Sequence, residues 1–121
     1  LYSWNRLADE NTAADYSYLC SVFATKDDGT LDIEASEDGK TFTAHLNAPC
    51  AYFLDLCAFP AFYPVPQQAV EAADGADTNP GAWALEAGFV GSGPFVLTEW
   101  KHNESMTYEP TPTTGQLTRF P

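Results

Sequence analysis

Residues 31 to 46 hold the pattern that most restricts the fold. Leu31, Ile33 and Ala35 alternate with Asp32, Glu34 and Ser36, which is the period of a strand with one apolar and one wet face. Glu37-Asp38-Gly39-Lys40 follows, with Asp-Gly at the tip, and Phe42, Ala44 and Leu46 then alternate with Thr41, Thr43 and His45. Asp-Gly between two alternating runs is a strong short-range hairpin signal, because the turn needs residues that tolerate positive φ. A β-hairpin is expected here, with His45 on its polar face as a solvated strand residue.

The flanking segments read as short helices. Leu1 to Phe23 forms two helical pieces interrupted by Asp9-Glu10-Asn11-Thr12, with Asn11 or Thr12 capping the second. Tyr16, Leu19, Cys20 and Phe23 recur at helical spacing and make its apolar face. Lys26-Asp27-Asp28-Gly29 is a polar turn. Asn47-Ala48-Pro49 reads as a helix start, since proline is tolerated in a first turn, and places Cys50, Phe53, Leu54 and Cys57 on one face. Phe59 to Pro66 contains Pro60, Pro64 and Pro66 and is expected as an extended apolar connector, because proline breaks a helix interior. Helix resumes from Gln67 to Asp74, with Gly75 as its C-terminal cap. Ala76 to Gly88 is loop-like, turning at Asn79-Pro80-Gly81. A second hairpin is expected, with strands Phe95–Trp100 and Ser105–Glu109 joined through Lys101-His102-Asn103-Glu104. Residues 110 to 121 read as an irregular tail rich in Thr, Pro and Gly. The fold class is therefore α+β: β-hairpins with short helices.

Composition excludes several functions. Seventeen Asp and Glu stand against five Lys and Arg, a formal charge of −12. Nucleic-acid affinity depends on basic residues that release phosphate counterions, so a nucleic-acid partner is not expected. An anionic membrane face would repel the chain for the same reason. No apolar run approaches the roughly 18 residues of a membrane span. The start, Leu1-Tyr2-Ser3-Trp4-Asn5-Arg6, has neither the basic region nor the apolar stretch of a signal peptide. It reads as the interior of a helix, so the chain is expected to begin after a natural N-terminus.

The tests for catalysis and metal binding return nothing specific. Gly91-Ser92-Gly93-Pro94 lacks the Gly-x-Ser-x-Gly spacing of a nucleophile elbow, and it leads into a strand where that motif needs a helix. Two histidines and three cysteines lie without the paired short spacings of zinc sites. Asp27-Asp28 and Glu37-Asp38 sit in turns, where hydration is the default role. No cofactor, metal site or catalytic residue is expected. Cys50 and Cys57, two helical turns apart by this reading, are out of disulfide reach of each other. Cys20 can bridge to either; buried free thiols are the preferred reading.

Three stretches in order resemble the oligopeptide- and dipeptide-binding family of extracytoplasmic ABC-transporter solute-binding proteins. The first is Tyr2-Ser3-Trp4-Asn5-Arg6-Leu7-Ala8-Asp9 with Asn11-Thr12-Ala13. The second runs from Asp38-Gly39-Lys40-Thr41-Phe42 through Leu46-Asn47-Ala48-Pro49 to Tyr52-Phe53-Leu54-Asp55-Leu56 and Phe59-Pro60-Ala61-Phe62-Tyr63-Pro64-Val65-Pro66. The third is Gly91-Ser92-Gly93-Pro94-Phe95 with Leu97 and Glu99-Trp100-Lys101. The tail departs from the family, since Thr111-Pro112-Thr113-Thr114 lacks the aromatics of an Asn-Pro-x-Tyr-Trp-like turn.

The resemblance implies a non-catalytic, two-lobed binder that closes over a peptide and delivers it to the membrane permease subunits of an ABC importer. It implies an extracytoplasmic location, as a periplasmic protein or a lipoprotein tethered at the cell surface. Family members are much longer, so residues 1–109 would be a central slice of a periplasmic-binding-protein-like fold. That slice would hold the end of the smaller subdomain and the re-entry into the first lobe. A member of the same family that takes nickel, a sugar or another small molecule is the alternative, with a standalone interaction domain behind it. The resemblance carries one ligand neighbour over, Tyr16, which matches a tyrosine after the Asn-Thr-Ala turn. The spacing is one residue short, which makes Tyr18 its alternative, and packing on its own helix face is the competing role for Tyr16. A slice of a larger protein would leave apolar faces uncovered around Phe59, Phe62 and Tyr63, and would self-associate.

Overall fold

The computed structural model describes residues 1–73 and 79–111. Two compact units divide the chain, Leu1–Gln67 and Gln68–Pro121.

The first unit starts with helix α1, Tyr2–Ala8. Asp9 ends it and caps a single 3₁₀ turn, Glu10–Thr12, by accepting from the Asn11 N–H at 2.9 Å. The break at 9–12 is itself a turn of helix, and the second helical piece starts beyond it, with Tyr16 at its N-cap and no side-chain cap, where Asn11 or Thr12 was expected. Ala13 follows at φ 50°, a left-handed residue that reverses the chain. The second helical piece is a 3₁₀ helix, Ser17–Val22. Its face is as expected at Cys20 and Phe23, which are buried, while Tyr16 lies outside the helix and is exposed.

The first hairpin forms as the alternation demands. Strand β1, Ile33–Ala35, pairs antiparallel with β2, Phe42–Ala44, in the register Ile33↔Ala44, Glu34↔Thr43 and Ala35↔Phe42. Gly39 supplies φ 69° at the turn. Asp38 accepts from the Ser36 hydroxyl and from the Lys40 N–H, at 2.6 and 3.1 Å. The ladder frays into isolated bridges, Phe23↔Leu46 and Thr25↔Leu31, which tie the helical piece to the hairpin.

Helix α2 is shorter than expected. It spans Phe53–Cys57, so residues 47–52 are loop and turn, and Cys50 is outside it. The apolar face also differs: Leu54 is 81% exposed, while Phe53 and Leu56 pack on the core. Tertiary contact chooses the face here, since Phe53 meets both Trp4 and Phe23 at ring distances of 6.5 and 5.6 Å. The connector after it is not wholly extended. Pro60–Phe62 makes one 3₁₀ turn with proline in its first position, where its missing N–H costs nothing. Phe62 is buried rather than uncovered, whereas Phe59 and Tyr63 are exposed.

Leu7, Cys20, Phe23, Leu31, Ile33 and Phe62 make the core of this unit. Trp4 organises it, meeting Phe23, Phe42 and Phe62 at ring distances of 5.2, 5.0 and 5.3 Å. The indole N–H donates to the Phe62 carbonyl at 2.9 Å. One turn of chain away, the Ser3 hydroxyl accepts from the Val65 N–H at 2.9 Å. The first two stretches that carry the resemblance are therefore packed on each other.

The second unit contains most of helix α3, Gln67–Ala72, and a second hairpin. The expected cap at Gly75 lies outside the described residues. Asn79 accepts from the Ala82 N–H at 2.9 Å, closing the expected turn, and a 3₁₀ turn, Ala82–Ala84, follows. Strand β3, Phe95–Lys101, pairs antiparallel with β4, Ser105–Pro110, with an irregularity between Leu97 and Glu99. Pro110, expected in the tail, is thus paired with Phe95; residues 112–121 lie outside the described part. Asn103 takes φ 62° in the connection, and Leu97 is buried while β4 is exposed throughout.

Candidate functional site

Tyr16 precedes the 3₁₀ helix, whose first turn closes when the Leu19 N–H donates to the Tyr16 carbonyl at 3.1 Å. Three residues per turn place Tyr16 and Leu19 on one edge and leave Tyr18 pointing away from the core. Tyr16 is 47% exposed and Tyr18 65%. Their rings lie 6.3 Å apart, and Tyr16 meets Phe59 edge to face at 5.2 Å.

Across from them, Tyr52 stands at the N-terminus of α2, Asp55 and Leu56 within it, and Phe59 just beyond. Together with Tyr16, Tyr18 and Leu19 they line a cavity of about 490 Å³. The structure thus brings both expected tyrosines to one pocket. Sequence reasoning missed the opposite wall. The signal was present, because Tyr52, Leu56 and Phe59 are spaced i, i+4, i+7, but the face had been assigned to Cys50, Phe53, Leu54 and Cys57.

The wall is chemically simple. Three phenols and one phenyl ring line the pocket with one acidic residue, Asp55, and among the described residues no Lys or Arg contributes. The Tyr52 phenol is held above its ordinary pKa, first by a hydrogen bond with the Cys50 side chain. Such a pocket can bind by ring contact and hydrogen bonding; it has no positioned nucleophile and base.

The other polar clusters are small. His45 lies 3.3 Å from Glu34 on the wet face of the first hairpin. His102 stacks on Trp100 at 4.3 Å and lies 3.7 Å from Glu86. Among the described residues, no group of three or more His, Cys, Asp and Glu could hold a metal ion, and no helix is long and apolar enough to cross a membrane. The thiols of Cys20, Cys50 and Cys57 are free; Cys20 is buried as the preferred reading has it, while Cys50 and Cys57 are only partly buried.

Residues 1–116 match the middle part of the bacterial extracellular solute-binding proteins, family 5. The chain belongs to that family. It is similar to a dipeptide-binding protein of Bacillus subtilis, 34% identical over 89% of this chain and 20% of the relative. It is also similar to a periplasmic oligopeptide-binding protein of Salmonella typhimurium, 37% identical over 93% of this chain and 21% of the relative. The substrate-binding domain of an oligopeptide ABC transporter from Bacillus anthracis superposes with a TM-score of 0.75 at 29% identity, covering 97% of this chain and 23% of that one. The chain thus spans about a fifth of the length of these family 5 relatives. Membership gives the mixed fold of short helices and two-stranded sheets its context, a non-catalytic binding family outside the cytoplasm.

Proposed function

We propose that the full-length protein carrying this chain captures peptides outside the membrane and passes them to the permease of an ABC importer, with residues 1–109 as a central slice of the binder. The observation that carries this reading is the exposed aromatic pocket at Tyr16, in a chain whose relatives are named for dipeptides and oligopeptides. A phenol offers a flat apolar face and a polar tip, which suits contact with a peptide's side chains and its backbone together. Tyr16 is the ligand neighbour in this reading, and Tyr18 the second.

The test is calorimetry of the full-length protein with unrelated tripeptides and pentapeptides. Binding at about micromolar Kd, weakened by Tyr16→Ala, is expected. Absence of heat with every peptide, together with binding of a sugar or of nickel, overturns the assignment.

A further inference from the structure

The pocket at Tyr16 has a chemistry more specific than apolar contact, and this inference rests on the peptide reading. We propose that the pocket takes the cationic side chain of a bound peptide, lysine or arginine, with Asp55 as the residue that selects it.

Four rings, those of Tyr16, Tyr18, Tyr52 and Phe59, share the cavity with the carboxylate. Aromatic faces carry negative charge density and attract ammonium and guanidinium groups, most strongly where several rings converge. Among the described residues Asp55 is the only charged one in the lining, and none of Arg6, Lys26, Lys40 and Lys101 lines it. Its carboxylate takes no side-chain hydrogen bond or ion pair among the described residues, so it stands available to an incoming cation. Leu19 and Leu56 complete the wall and suit the aliphatic stem of a long basic side chain, whose methylenes bury while the charged head meets the carboxylate. The excess of acid over the whole chain adds a long-range attraction of the same sign. A volume of about 490 Å³ accommodates such a side chain with water around it.

The experiment compares Ala-Lys-Ala, Ala-Ala-Ala and Ala-Glu-Ala, free and N-acetylated, by calorimetry on the full-length protein and on its Asp55→Asn and Asp55→Glu variants. The lysine peptide is expected to bind about tenfold tighter than the alanine peptide. Asp55→Asn should bring that ratio below about twofold, and Asp55→Glu should keep most of it. The ratio should survive acetylation of both peptides, since it belongs to the side chain and not to the terminal ammonium. Equal affinities for the three peptides in the unaltered protein overturn this inference and leave the peptide reading intact. A lysine preference that survives Asp55→Asn, or one that vanishes on acetylation, overturns it too. No binding of any tripeptide overturns both.

Discussion

The ring of Tyr16 meets that of Phe59 edge to face, with centroids 5.2 Å apart and planes at 71°. Phe59 closes the turn after α2, so this contact joins the second helical piece of the chain to the segment that follows the first hairpin. It braces a half-exposed tyrosine at the pocket wall, which under the proposed function would lower the ordering cost of binding there.

If Phe59 orients Tyr16 for a ligand, their substitutions are coupled. Tyr16→Ala in the full-length protein is expected to weaken peptide binding about tenfold, and Phe59→Ala about threefold. The double variant should lose less than the product, because removing either ring already removes the pair, worth about 0.5–1.5 kcal/mol. Tyr18→Ala, at a contact of 6.3 Å and greater exposure, should cost under about twofold. Calorimetry on the four proteins of the cycle measures the coupling; strict additivity would show that Phe59 does not position Tyr16.

The hairpins were readable from the sequence because their information is local. Alternation selects the face of Leu31 and Ile33, and Asp38-Gly39 selects the turn, without any distant contact. The start of α2 was not readable, since its first turn forms where Phe53 docks on Trp4 and Phe23, residues thirty or more positions earlier. The burial of Phe62 was hidden for the same reason: a proline-rich apolar segment looks exposed until the Trp4 indole is seen donating to it. Tyr16 as a ligand neighbour came from resemblance alone. The opposite wall, Tyr52 and Phe59, was spaced for one face but passed over for the cysteines beside it.

The packing of the two motif stretches should dominate the stability of the first unit. Trp4→Ala removes four ring contacts and a hydrogen bond, and is expected to cost about 3 kcal/mol or more. Trp4→Phe keeps much of the apolar contact and leaves the Phe62 carbonyl without its donor, for about 1 kcal/mol. Ser3→Ala strands the partly buried Val65 N–H, for about 1–3 kcal/mol. Urea titrations should rank the three in the order Trp4→Ala, Ser3→Ala, Trp4→Phe. A Trp4→Ala protein as stable as the parent would show that the aromatic cluster is not the core.

The turn carboxylates have a structural role that hydration does not describe. Asp28 accepts from the hydroxyl and N–H of Thr30 at 2.6 and 2.9 Å, and its pKa is lowered chiefly by that hydroxyl. Asp38 is lowered chiefly by its hydrogen bond from Ser36. A depressed folded pKa means that the stabilisation is fully present above the ordinary Asp value, about 3.9, and is lost as pH falls through the folded value. Asp28→Asn and Asp38→Asn should therefore flatten the acid limb of a stability-versus-pH curve below about pH 4. Amide exchange at Thr30 and Lys40 should quicken in the same variants, and unchanged exchange would show the turns to be held by glycine alone.

Burial gives Cys20 the opposite sign. Desolvation of the thiolate pushes its pKa up to about 11, and the same cause raises that of Cys57. Because the folded state then holds its proton more tightly than the unfolded chain, stability is complete below the unfolded thiol value, near 8.5, and falls as pH rises toward 11. Cys20→Ala removes that dependence at the cost of a small cavity of about 1 kcal/mol. Reactivity follows the same order, since the thiolate is the nucleophile and access limits it. Iodoacetamide at pH 8 should label Cys50 and Cys57, both partly exposed, well before Cys20. Mass mapping of the labelled peptides reads this directly. Early labelling of Cys20 would place that thiol outside the core that Leu7, Phe23 and Ile33 build around it.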